Sequence, residues 1–201
     1  MAELGGPSVA LASSTDARVE EQVKALFDRA EAELGPVHLC VHNIGGNVAF
    51  PVLDTTERVF RKVWELTSLS AFLVGKEAAA RMLPRGQGVI IFTGATAAIR
   101  GSPNYVAFAA GMHGKRAVAQ TLARELGPKG IHVAHVIVDG PIETAFVKER
   151  FGADNFHALK SKGGLLEPTH IAEAYSFIAK QDKSAWVFEM DLRPYCEPHA
   201  S

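Results

Sequence analysis

Cysteine is scarce in this 201-residue chain, Cys40 and Cys196 being the two present. One lies in an apolar run and the other in a proline-containing tail, which argues against a disulfide framework and points to a reducing cytoplasm. Long apolar runs are missing too. No stretch reaches the ~18 residues needed to cross a bilayer, and the N-terminus has no basic segment followed by an apolar one. Neither a membrane anchor nor a secretory leader is expected. Charge of one sign is also lacking: 21 Lys and Arg face 22 Asp and Glu, with no basic or acidic block. Nothing marks a surface for nucleic acid or for a membrane. Repeats, low-complexity tracts and linkers are absent as well. What remains is 47% hydrophobic and 21% charged residues, a balance that fits one soluble globular domain over residues 1–201 with a full core.

Apolar strand-like runs alternate with helical patterns, the signature of βαβ units feeding a parallel sheet. Strands are expected at Ser8–Ala12, Val37–His42, Val89–Thr93, Ile131–Val138 and Trp186–Met190. Between the first two, a helix starting near Ala17 carries Val19, Val23, Leu26, Phe27 and Ala30 inward, with Asp16 as its N-cap. Gly35-Pro36 stops it. A longer pattern opens at Asp54, where Glu57 completes a capping box, and runs to Met82. A third helix spans Tyr105 to Leu126 before Gly127-Pro128. Residues Ile142 to Glu167 read as a loop with short helices, and Pro168 suits the first turn of a last helix through Ala179.

Val89-Ile90-Ile91-Phe92 is continuously apolar, as in a strand buried on both faces by helices. Sheets of this kind bind ligands at the carboxyl ends of their strands. The candidate site is therefore made of three loops: Asn43-Ile44-Gly45-Gly46, Thr93-Gly94-Ala95-Thr96, and Asp139 through Thr144.

His42-Asn43-Ile44-Gly45 resembles the Asn-Asn-Ala-Gly motif of the short-chain dehydrogenase/reductase family, and Ala119 through Gly127 resembles the end of that family's long interface helix. The resemblance spans most of the chain and is most specific from Arg100-Gly101 through Gly140. It implies an α/β, Rossmann-like, three-layer parallel sheet of about five strands. It also places the start of this sequence at the family's third strand, so that the family's first two strands and helices are lacking. By position, Thr144 matches a threonine on the nicotinamide side of the family's cofactor, and Asp16 matches an acidic residue near the adenine. Together with Asn43, Gly45 and Asp139 these are the cofactor-side candidates.

The departures carry more weight. The family's Thr-Gly-x3-Gly-x-Gly turn brings backbone and a helix N-terminus to the pyrophosphate, and no such spacing exists among the 18 glycines here. Its Tyr-x3-Lys pair and serine transfer the proton and position the substrate. Anchored on Arg100-Gly101 and Ala117 through Gln120, those positions fall on Phe108, Met112 and Ala95, and the supporting asparagine on Thr67. Phenylalanine donates no proton and methionine carries no charge. Tyr105, His113, Thr93 and Thr96 are the substitute catalytic candidates. Tyr105 and Lys115 share a helical stripe but stand ~15 Å apart along the axis, too far to work as a pair.

No metal is expected. His38, Cys40 and His42 would share one strand face, with His132 and His135 on another strand, but same-face neighbours ~7 Å apart do not converge on one ion without help. Trp64 and Trp186 suit a core or an interface, and Arg193 suits an ion pair tying down the tail. Three functions stay open: a noncatalytic subunit or interaction module, a cofactor-independent enzyme using the remodelled cleft, and an atypical oxidoreductase completed by a partner chain. No cofactor is expected, with NAD or NADP as the alternative. A homo-oligomer is expected, a dimer formed through the long helices and an uncovered sheet face contributed by Val37–His42 and Val89–Thr93; a different protein partner is the alternative.

Overall fold

A computed structural model of the chain describes residues 10–197. Its four strands are all parallel and run β1 (Leu39–His42), β2 (Gly88–Gly94), β3 (Ile131–Val138) and β4 (Glu189–Leu192), in that spatial order. The helices are α1 (Glu20–Leu34), α2 (Glu57–Trp64), α3 (Ser70–Met82), α4 (Val106–Leu126), α5 (Ala145–Phe151), α6 (Ala153–Ser161) and α7 (Pro168–Ala179). Strand alternation divides the core in two. Ile90 and Phe92 of β2 and Ile131 and Val133 of β3 pack with Val23 and Phe27 of α1, Ala71 and Ala78 of α3 and Ala119 of α4. Ile91, Ala134, Val136 and Val138 point the other way, onto Ile178 of α7. This is the three-layer Rossmann-like architecture.

β3, buried along its whole length, and α7 have the limits expected of them, and α4 starts one residue later. The expected N-terminal strand differs. Ser8 and Val9 lie outside the described residues, and Ala10, Leu11 and Ala12 are not in a strand, leaving four strands among the described residues. The last strand is shifted towards the C-terminus because Trp186 is engaged otherwise: its ring stacks on His132, with centroids 4.7 Å apart.

Two expected caps are also corrected. Asp16 does not cap α1; its carboxylate accepts from the Arg18 backbone N–H at 3.0 Å and pairs with the Arg18 guanidinium, closing the turn ahead of the helix. Asp54 ends a short 3-10 turn, and Thr56 caps α2 by accepting from the Val59 N–H at 3.3 Å.

The expected single helix to Met82 is interrupted by a π-helical turn, Glu65–Leu69. Thr67 Oγ1 donates to the Val63 carbonyl at 2.7 Å and Ser70 Oγ to the Leu66 carbonyl at 2.6 Å. These hydroxyls serve backbone acceptors where the regular ladder is disturbed, as is usual at π-bulges. The turn lies against α4, which approaches closely because Gly111 and Gly114 have no side chains: a Cβ there would stand 2.1 Å from Thr67 Oγ1 or 2.2 Å from Ser68 Oγ.

Only part of the expected uncovered sheet face is open. Ile91 is fully buried within the α7 cluster, whereas Leu39 and Val41 of β1 are 43% and 41% exposed. α7 reaches over β2 and stops short of β1.

Candidate functional site

Two cavities lie at the carboxyl ends of the strands. The inner one, about 350 Å³, is lined by Asn43, Ile44, Gly45 and Asn47 after β1, Thr93, Gly94 and Ala95 at the end of β2, Phe108, Met112 and Lys115 of α4, and Phe146 and Arg150 of α5. The outer one, about 270 Å³, is lined by Asn47, Thr96, Arg100, Ser102, Tyr105, Phe108 and Gly140 among others. Phe108 and Asn47 belong to both. Phe108 therefore stands at the junction of the two spaces.

Lys115 is the residue that reasoning from the sequence set aside. Its side chain is buried, 1% exposed, and its Nζ donates to the carbonyls of Ile44 at 2.5 Å and Thr93 at 3.1 Å. Among the described residues no carboxylate pairs with it, and burial pulls its pKa down from 10.5 to about 8. Met112, which the resemblance sets at the family's lysine position, is 3% exposed and lines the same cavity. Lys115 thus brings its amine to the cavity face of α4, three residues beyond Met112. The signal was present in the Met112/Lys115 spacing, since residues three apart lie on one helix face and a lysine stem can span a turn. Measuring Lys115 against Tyr105 hid it.

The other candidates separate. Asn43, Gly45 and Thr93 meet at the inner cavity, and Thr96 and Tyr105 at the outer. His113 is exposed on α4, with its Nδ1 2.9 Å from the Ala109 carbonyl of its own helix, and lines neither cavity. Asp139 is 7% exposed and accepts from Thr96 Oγ1 and from Arg193, the latter at 3.3 Å, so it holds the loop and the tail together. Thr144 caps α5 through the Val147 N–H at 3.2 Å and faces a third cavity. Asp16 lines neither the inner nor the outer cavity, and its pKa is lowered to about 2 by Arg18.

That third cavity, about 750 Å³, adjoins the inner one through the shared Asn43 and Thr93 and runs between β1 and α7. Leu39, Val41, Ile171, Ala172 and Ala179 make it largely apolar. Tyr175, a residue not singled out from the sequence, closes its inner end by a 2.7 Å hydrogen bond between its hydroxyl and Thr93 Oγ1.

The histidines are structural. His132 Nε2 is 2.8 Å from the Val187 carbonyl, and His135 Nδ1 is 2.9 Å from Glu189, which Arg116 also engages, so both tie β3 to β4. His42 is buried with Nε2 2.9 Å from Ser70 Oγ. Among the described residues, no three His, Cys, Asp or Glu side chains are grouped to hold a metal. Cys40 and Cys196 are free thiols.

An open parallel sheet with its clefts at the strand carboxyl ends is the architecture of the dinucleotide-binding α/β proteins. Residues 1–188 match the family model described as enoyl-(acyl carrier protein) reductase, and the chain belongs to the short-chain dehydrogenase/reductase family. It is 30% identical over 185 residues to the 3-oxoacyl-[acyl-carrier-protein] reductase MabA of Mycobacterium bovis, covering 90% of this chain and 73% of that protein. Among solved structures it is similar to a short-chain dehydrogenase from Rhodopseudomonas palustris, at 44% identity and a TM-score of 0.76, over 92% of this chain and 74% of that one. An NADPH-bound short chain oxidoreductase from Pseudomonas aeruginosa, described as containing an atypical catalytic center, shares the fold at 24% identity and a TM-score of 0.83, over 94% of this chain and 77% of that one.

Proposed function

We propose that this chain is a noncatalytic member of its family that acts as a subunit or interaction module. The observation behind this reading is Phe108, which occupies the junction of the two cavities and can neither give nor take a proton. Hydride transfer to a carbonyl needs a donor for the developing alkoxide, and the ring supplies none.

The residues do not fit a whole nicotinamide dinucleotide. Asn43 and Gly45 can flank its nicotinamide half. The adjoining space towards β1, however, is walled by Leu39, Val41, Ile171 and Ala172, and apolar walls are a poor bed for a diphosphate that other members hold on glycine-rich backbone. Asp16 is already committed to Arg18.

Pairing of two copies fits the same reading. Phe60 and Trp64 of α2 and Phe72 of α3 are 39%, 43% and 48% exposed, and aromatic groups of this size dominate interface energetics. With Leu39 and Val41 they give the soluble chain apolar surface to cover, and two-fold closure is the commonest way to do so. Calorimetry with NADH and NADPH, together with light scattering, tests this. No low-micromolar dinucleotide binding and a dimer are expected. Tight binding by the purified chain would overturn the noncatalytic reading, binding only with another subunit present would turn it towards a completed oxidoreductase, and a stable monomer would remove the pairing.

One observation favours a second reading, a cofactor-independent enzyme. A buried lysine with a depressed pKa on the wall of a cleft is a common mark of chemistry.

A further inference from the structure

We infer that Lys115 is a nucleophilic amine that forms a reversible imine with a small 2-oxo acid or aldehyde acid bound in the inner cavity. The inference rests on the cofactor-independent reading above.

An ammonium has three N–H groups and no lone pair, whereas a neutral amine has two N–H groups and one lone pair. Lys115 Nζ has two protein acceptors, the Ile44 and Thr93 carbonyls. They match a neutral amine fully and leave its lone pair free in the remaining direction. No carboxylate is bonded to Nζ to hold the charge, and the side chain is buried among Phe108, Met112 and the strand ends. Desolvation acts in the same direction, with the pKa near 8. At neutral pH such an amine has on the order of 10²-fold more of its free form than a surface lysine. Desolvated lysines of this kind are the ones that make Schiff bases with carbonyl compounds.

The cavity suggests the acid. Arg150 lines the same cavity and is exposed, so its guanidinium can receive a carboxylate by its planar fork. Phe108, Met112 and Phe146 supply the apolar remainder of the wall, and about 350 Å³ suits a compact ligand. In the reaction the Lys115 lone pair attacks the carbonyl carbon and gives a carbinolamine. The carbonyl oxygen then leaves as water with the two amine hydrogens, and a C=N bond remains. No oxidant or reductant is consumed, and hydrolysis reverses the step.

The experiment is reductive trapping. The intact protein is incubated at neutral pH with glyoxylate and cyanoborohydride, digested, and mapped by mass spectrometry for carboxymethyl-lysine. Preferential modification of Lys115 over the exposed lysines is expected, with loss of that site in Lys115→Arg while the circular dichroism spectrum is retained. Arg150→Ala, an exposed position, should slow trapping with glyoxylate and leave trapping with propanal unchanged. Modification spread over exposed lysines with Lys115 untouched, or no modification, would overturn the inference. The dinucleotide titration reports separately on cofactor independence, so the two readings fail by different measurements. Equal slowing of both probes in Arg150→Ala would overturn the assignment of an acid as the ligand.

Discussion

Gly130→Ala is expected to destabilise the fold by about 3 kcal/mol. Gly130 ends the 3-10 turn Gly127–Lys129 and leads into β3 with φ +86°. A side chain there adopts left-handed backbone at a cost of roughly 1–2 kcal/mol. The larger cost is steric. A Cβ would stand 2.1 Å from the Gly86 carbonyl oxygen and 3.0 Å from its carbon, and backbone cannot turn aside as a flexible side chain can. Gly86 is itself left-handed, at φ +60°, and closes the matching turn Leu83–Arg85 ahead of β2. The two Pro-containing turns nest, so relief at one disturbs the entry of the neighbouring strand. Gly127 is the control: it has helical backbone, and a Cβ would meet nothing within 4 Å. Gly127→Ala should change stability by less than ~1 kcal/mol. Urea unfolding of the two variants gives the comparison, and near-equal midpoints would show that the turns are not in contact in solution.

The second large effect is acid sensitivity centred on His42. Burial, reinforced by the nearby Lys115 charge, lowers its pKa from 6.5 to about 3. Between those values the unfolded chain binds a proton that the folded chain refuses, so stability rises with pH across the window. The contribution is fully present above about 6.5 and is lost as pH falls towards 3. Linkage gives a loss of about 2 kcal/mol on going to pH 5. His135 is shifted in the same direction by burial, with Glu189 opposing. Exposed His170, raised by Glu173, works the other way but in solvent. Urea unfolding at neutral pH and at pH 5 reads the slope. In His42→Leu the starting stability falls with the lost Ser70 hydrogen bond, but the slope should flatten. An unchanged slope would mean that His42 is hydrated and titrates normally.

Where local pattern decides structure, the chain was readable in advance. β3 is apolar enough to be buried at every position, Gly127-Pro128 stops α4, and Pro168 starts α7, each a matter of adjacent residues. Residues of the three segments Asn43–Gly46, Thr93–Thr96 and Asp139–Thr144 line cavities at the strand carboxyl ends, because a parallel sheet brings those ends together. Phe108, Met112 and Ala95 count as departures only through the family resemblance, anchored on Arg100-Gly101 and Ala117 through Gln120.

The rest depended on contacts between distant segments. Asp54 lost the capping role to Thr56 because a 3-10 turn intervened, and the long helix bulged at Glu65–Leu69, where α4 lies close against it. His113 and Lys115 stand two residues apart on one helix, yet one is in solvent and the other is buried. Residues two apart point to opposite sides of a helix, so the two do not share the cleft. The difference is which side of α4 meets the end of β2 and the loop after β1, whose Ile44 carbonyl lies 71 residues from Lys115 in sequence. By itself the sequence determined the layers, β3 and the limits of α7, because these follow from neighbouring residues. Only the tertiary structure decided that the Lys115 amine lies buried beside the ends of β1 and β2, because burial is set by what packs against a residue and not by the residue itself.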